Sequence, residues 1–188
     1  MKLLILDNYD SFIYNLVQIV EENSNAKIEV RRNDAITIQE VGTYDKIILG
    51  SGTGKPTESG VICDLIQTYQ HCKPILGVGL GMHAINEVFG GDLIQLEEPA
   101  HGIVTSIKHS ADSILFKDVP KVFDVGRYHS WTLDAKTLPK ELVITAQDGN
   151  AIIMAVQHKK WPVYGLQFHP ESILTDYGKT IMTNFLKA

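Results

Sequence analysis

The chain has 188 residues, 44% of them hydrophobic and 21% charged, which suits one folded domain and is short for two. A net charge of −5 gives no electrostatic reason to expect nucleic acid or an anionic membrane as partner. No apolar run approaches the roughly 20 residues of a bilayer span, and two cysteines, Cys63 and Cys72, make no disulfide framework. A reduced, cytoplasmic setting is therefore expected, and the opening "MKLLILD" enters a strand at once rather than an export leader.

Leu3–Leu6 is a short apolar strand, followed by Ile13, Leu16, Val17 and Val20 on one helical face. Lys27–Arg31 alternates polar and apolar as a strand, and Lys46–Leu49 reads as a buried one. Ile62, Leu65, Ile66 and Tyr69 mark the next helix. The run Ile75–Val78 is again a buried strand, and Ala84, Ile85, Val88 and Phe89 recur at helical spacing just beyond it. Strands alternating with helices over about 90 residues argue for parallel βαβ units. The second half changes character. Ile103–Lys108, Val122–Val125, Leu142–Ala146, Ile152–Val156 and Val163–Phe168 are short strand candidates, and Tyr177, Ile181 and Phe185 mark a closing helix. The pattern predicts a single α/β domain over residues 1–188: an open, mostly parallel central sheet flanked by helices, with additional antiparallel strands in the second half.

Ligands of open parallel sheets bind beyond the carboxyl ends of the strands, which singles out the loops Asp7–Ser11, Gly50–Pro56 and Gly79–His83. The tight joint in "PILGVGLGMHAI" (residues 74–85) is where α/β proteins place a phosphate or a nucleophile. Gly79 to Ala84 fits a dinucleotide fingerprint, with Glu97 and Glu98 at a suitable distance, but no strand clearly delivers either glutamate. "GSGTGKP" fails as a P-loop, because only Ser51, Gly52 and Thr53 separate Gly50 from Gly54 and Pro56 follows Lys55. What remains is a glycine-rich loop whose backbone N–H groups can stabilise an oxyanion. In "QFHPES", His169 and Glu171 stand two apart after an apolar strand, the spacing of a base and its orienter. No two histidines have the spacing of a metal pair, and no metal is expected.

Taken in order, "DNYDSF" (Asp7–Phe12), "GSGTGKP", "PILGVGLGMHAI", "GRYHSW" and "GLQFHPESILT" resemble the class I glutamine amidotransferases. The likeness is closest to the small subunits of anthranilate synthase and aminodeoxychorismate synthase, and it runs from Leu3 to Phe185. In that family an elbow cysteine attacks the carboxamide of L-glutamine and a histidine takes its proton. Ammonia leaves a glutamyl thioester, water releases glutamate, and the ammonia passes to a large, chorismate-binding synthase subunit. The resemblance implies no cofactor. It makes His169 the base and Glu171 its orienter, with Leu80 and Gly52 donating backbone N–H groups to the oxyanion.

The nucleophile position is Gly79, which has no atom to form a thioester. Neither cysteine is placed to replace it, since Cys63 falls in a helical stripe and Cys72 at the far end of the strand leading to the elbow. Other substrate-binding positions depart too. Ser51 and Thr53 stand where the oxyanion loop ahead of Gly54 has prolines, His83 where a glutamine helps hold substrate, and Trp131, next to Ser130, where leucine is usual. Several changes in one pocket point to relaxation of the glutaminase site. The chain is thus expected to be glutaminase-inactive, either as an inactive form of a hydrolysing subunit or as a non-catalytic subunit that docks on an ammonia-dependent synthase.

Overall fold

The computed structural model describes residues 1–110 and 113–188. Its first half alternates β1 (Lys2–Asn8), α1 (Ile13–Glu21), β2 (Lys27–Arg32), α2 (Ile38–Val41), β3 (Lys46–Gly52), α3 (Ile62–Tyr69), β4 (Ile75–Val78) and α4 (Leu80–Val88). The second half supplies β5 (Leu93–His109), β6 (Val122–Leu133), β7 (Leu142–Asp148), β8 (Ile153–His158), β9 (Val163–Leu166) and α5 (Gly178–Lys187). All nine strands form one sheet in the order β2-β1-β3-β4-β9-β8-β7-β5-β6. Strands β2, β1, β3, β4 and β9 pair in parallel, and the pairings from β9 through to β6 are antiparallel. The sheet is mixed, and the parallel part holds the expected βαβ units.

Side-chain alternation divides the core into two layers, as the two-residue period of a strand requires. Leu3 and Ile5 of β1, Ile48 of β3, and Leu76 and Val78 of β4 face the layer that includes α1 and α5. Leu4, Leu6, Ile47, Leu49 and Ile75 face the opposite layer, with residues of α2, α3 and α4. Both faces are covered, which is why these strands read as unbroken apolar runs.

Four elements differ from the sequence expectation. Helix α2 is an addition. Its signal is a capping box, with the Glu40 N–H donating to Thr37 Oγ1 at 3.3 Å and the Thr37 N–H to Glu40 Oε2 at 2.8 Å. Strands β5 and β6 run to 17 and 12 residues and pair along most of their length, with register shifts between Gln95 and Ala100 and between His101 and Ile103. Ser130 and Trp131 therefore lie within a strand rather than in a loop. Tyr177 caps α5 at φ 57° instead of opening its buried face, which begins with Gly178 and Ile181.

Helix α5 is held at its C-terminal end by a lysine of β3. The buried Lys46 Nζ donates to the carbonyls of Phe185 and Leu186 at 3.0 Å and of Ala188 at 2.6 Å. These groups belong to the last turn, where carbonyls run out of internal partners, although the Phe185 carbonyl also accepts the Ala188 N–H at 3.2 Å. Lys46→Met keeps the apolar stem and removes all three donors. It is expected to cost about 2 kcal/mol, a fall of roughly 4–8 °C in Tm for a domain of this size, read by thermal denaturation.

Candidate functional site

Gly79 alone makes the turn from β4 into α4, at φ 54° and ψ −109°. Its N–H donates to the Leu166 carbonyl at 2.8 Å, and its carbonyl accepts the His83 N–H at 3.1 Å, the first bond of the helix. A Cβ at this position would stand 2.5 Å from Ser51 Oγ. Two residues on, a Cβ at Gly81 would lie 2.5 Å from the Leu49 carbonyl, so the helix can rest this closely on β3 only with glycine there.

The elbow opens on a cavity of about 730 Å³. Gly79, Leu80 and His83 line it from the elbow, and Gly52, Thr53 and Gly54 from the loop after β3. Ser130 and Trp131 close it from β6. The loop is tethered from β1, where Asn8 Nδ2 donates to the Gly50 carbonyl at 2.7 Å. The structure thus brings together the expected nucleophile position and every expected substrate-binding residue. It adds Gln167, whose fully buried carboxamide meets His83 Nε2 through Oε1 at 3.0 Å. Burial pushes the His83 imidazole below its ordinary pKa, against the opposing pull of Gln167 and the Trp131 carbonyl.

Behind the wall formed by β6, Arg127 Nε donates to His129 Nε2 at 3.0 Å and Nη1 pairs with Asp148 at 3.1 Å. Nε2 of His129 must then be the acceptor, so its proton sits on Nδ1 and is donated to the Trp131 carbonyl at 3.0 Å. Burial and the neighbouring Arg127 charge hold His129 neutral, with its pKa pushed down to about 4. This buried relay fixes the backbone of Trp131 at the cavity wall.

His169 and Glu171 form the expected pair, with Nδ1 and Oε1 2.6 Å apart and both side chains buried. The turn that carries them is fastened to β6. The His169 N–H reaches the Gly126 carbonyl at 3.2 Å, and Thr175 Oγ1 donates to the His169 carbonyl at 2.6 Å while accepting the Gly126 N–H. Burial disfavours the imidazolium, but the hydrogen bond and charge of Glu171 and the charge of Asp10 outweigh it, so the His169 pKa is raised. Asp10 is itself pushed up by burial first, then by the charges of Glu171 and Asp7. Asp10, His169 and Glu171 each offer a ligand-type atom within 4.8 Å of the others, a grouping in which the Glu171 bond occupies His169 Nδ1.

The pair does not line the 730 Å³ cavity. His169 opens into a neighbouring one of about 250 Å³, together with Asp10, and the two cavities share Ser51, Gly52, Thr53, His101 and Tyr128. Ser51, Gly52 and Thr53 of the glycine-rich segment thus line both cavities. Cys63, half-buried on α3, and Cys72, exposed beyond it, line neither cavity. Sequence reasoning missed Asp10, Gln167 and His129 as parts of the site. Asp10 sits in a loop that follows a parallel strand, which was the signal available.

Two outcomes follow. Glu171→Gln removes the partner that keeps His169 charged, so the imidazole pKa falls, as an NMR titration would read. Because the native pKa is raised, the pair stabilises the fold fully below about pH 6.5, the unfolded value, and this is lost as pH rises through the folded value. The stability deficit of Glu171→Gln is therefore largest near pH 6 and shrinks at higher pH. Gly79→Ala puts a Cβ on a left-handed residue and is expected to cost about 1–3 kcal/mol in chemical denaturation.

Comparison with known proteins places this geometry. The pattern of the glutamine amidotransferase class-I family matches residues 4–188. The chain is 40% identical over 187 residues to the aminodeoxychorismate/anthranilate synthase component 2 of Bacillus subtilis, covering 98% of this chain and 95% of that one. It is 40% identical over 188 residues to the bifunctional protein TrpGD of Thermotoga maritima, covering 98% of this chain but only 32% of that protein. A glutamine amidotransferase structure from Thermotoga maritima shares the fold at a TM-score of 0.82 and 14% identity, over 100% of this chain and 96% of that one. The strand-turn-helix elbow, its facing glycine loop and the His169–Glu171 pair sit in a chain that belongs to the class I glutamine amidotransferase family.

Proposed function

We propose that this chain is the amidotransferase-type small subunit of a chorismate-using synthase of the anthranilate or aminodeoxychorismate kind, and that it lacks glutaminase activity of its own. The observation that carries the proposal is Gly79 at the turn of an intact elbow, φ 54°, with the substrate-binding positions gathered on one cavity. L-glutamine is the family's substrate, and the cavity is the seat it would take. Its carboxamide would lie between Leu80 at the helix N-terminus and Gly52 on the facing loop, where backbone N–H groups stabilise an oxyanion.

No thioester can form without a side chain at residue 79. His169, oriented by Glu171 and with its pKa raised, then has no thiol proton to accept. The residues that remain can bind and orient, but none is placed as the elbow nucleophile. The partner is a large, chorismate-binding subunit. An exposed apolar surface beside the His169–Glu171 pair supports such docking. Ile173 is 99% exposed and Phe12 51% exposed, and both border a groove of about 510 Å³ that reaches Glu171. Names of similar proteins, component 2 of anthranilate or aminodeoxychorismate synthase, support the same reading.

The test is co-purification with the large subunit, then product formation with glutamine or with ammonium as the nitrogen source. Ammonium is expected to support turnover of the complex and glutamine to give only background. Glutamine-dependent turnover above background would overturn the inactive assignment, and failure to co-purify would overturn the subunit assignment.

A further inference from the structure

Hydrogen bonding around the elbow is weighted toward donors. Three acceptors beside it are already engaged. The Gly79 carbonyl takes the His83 N–H at 3.1 Å, Gln167 Oε1 meets His83 Nε2 at 3.0 Å, and the Trp131 carbonyl takes His129 Nδ1 at 3.0 Å. The donors are left over. The first N–H groups of a helix have no partner within it, and among the described residues no side chain caps those of α4. The first turn of α4 holds no acidic residue either. Gln167 is fully buried at the cavity, and among the described residues its Nε2 has no hydrogen-bond partner.

This balance separates two ligands of the same shape. A carboxamide brings an N–H₂ group that needs acceptors, whereas an ionised carboxylate brings acceptors alone. The hydroxyls of Ser51 and Thr53 on the facing wall can serve either ligand. The N–H groups of α4 and the Gln167 amino group can serve only an acceptor. Negative charge is also favoured at a helix N-terminus. An elbow thiolate would hold such charge there and repel a carboxylate, and Gly79 brings none. Lys55 and Glu58 lie exposed on the cavity rim, where their charges offset each other.

From these unpaired donors we infer that the cavity seats a carboxylate without covalent chemistry, and that it prefers L-glutamate to L-glutamine. The inference rests on the glutamine seat proposed above and deepens it by naming the ligand. The N–H groups that open α4 would take the side-chain carboxylate. Gln167 Nε2, held beside His83 one turn along the same helix, is a second donor for an oxygen of the ligand.

The test is calorimetric titration of the full chain with L-glutamate and with L-glutamine, each at equal ionic strength. L-glutamate is expected to bind about tenfold more tightly or better, a difference of ~1.4 kcal/mol. Gln167→Glu replaces the unpaired donor by a carboxylate oxygen and is expected to abolish L-glutamate binding. Thr53→Asp alters an exposed residue of the cavity wall and keeps the test sound if the buried variant fails to fold. Its added charge is expected to reduce or reverse the preference for L-glutamate. A preference unmoved by Thr53→Asp would overturn the inference. L-glutamine binding as tightly as L-glutamate would overturn it too, while leaving the seat in place. Binding of neither would overturn both the inference and the seat.

Discussion

The hydrogen bond from the Gly79 N–H to the Leu166 carbonyl, 2.8 Å long, extends the β4–β9 ladder one step past the last residue of β4. That step joins the two halves of the molecule, because β9 brings the antiparallel strands to the edge of the parallel ones. It also fixes where the elbow turns relative to Gln167 and His169, which follow Leu166 directly. A chain that must keep this bond while starting a helix at Leu80 has only one residue in which to reverse. The left-handed backbone of Gly79 follows from that constraint, and glycine meets it without a Cβ penalty.

Electrostatically the site is divided. His83 and His129 are kept neutral by burial, the second also by an adjacent guanidinium, while His169 is held toward its charged form by two carboxylates. His83 and His129 line the larger cavity and His169 the smaller one, with Ser51, Gly52 and Thr53 lining both. His169 keeps its bond to Glu171 and its raised pKa beside an elbow that carries no side chain. Nothing about the folding of the His169 turn depends on chemistry at residue 79, since its bonds run to Gly126 and Thr175.

Much of this was legible in the residues themselves. The buried runs of β1, β3 and β4 declare strands because both faces are covered, and the spacing of His169 and Glu171 declares a pair because the two lie in one turn. The capping box of α2 was written in Thr37 and Glu40 and passed over, since a helix of four residues has no periodicity to notice. The length of β5 and β6 was hidden because most of β5 is exposed, and Glu97, Glu98 and Pro99 interrupt both its apolar pattern and its register, which resumes at Ala100. Asp10 and Ser51 acquire meaning only through proximity. No local pattern says that a carboxylate after β1 faces His169, or that a hydroxyl in β3 fills the gap at Gly79.

The strand order carries a consequence for how the molecule is made. β9 is the last strand in the chain, yet it lies at the centre of the sheet between β4 and β8. Until it arrives, β4 presents an unpaired inner edge of apolar residues, the kind of edge on which other chains can pair. Contacts so distant in sequence are reached slowly, because loop closure must precede the pairing that rewards it. On a ribosome, the nascent chain would therefore display the open edge, next to an elbow still lacking its bond to Leu166, for as long as residues 79 to 166 take to emerge. The segment that follows α4 thus serves as a bridge that must fold back before the centre of its own sheet exists.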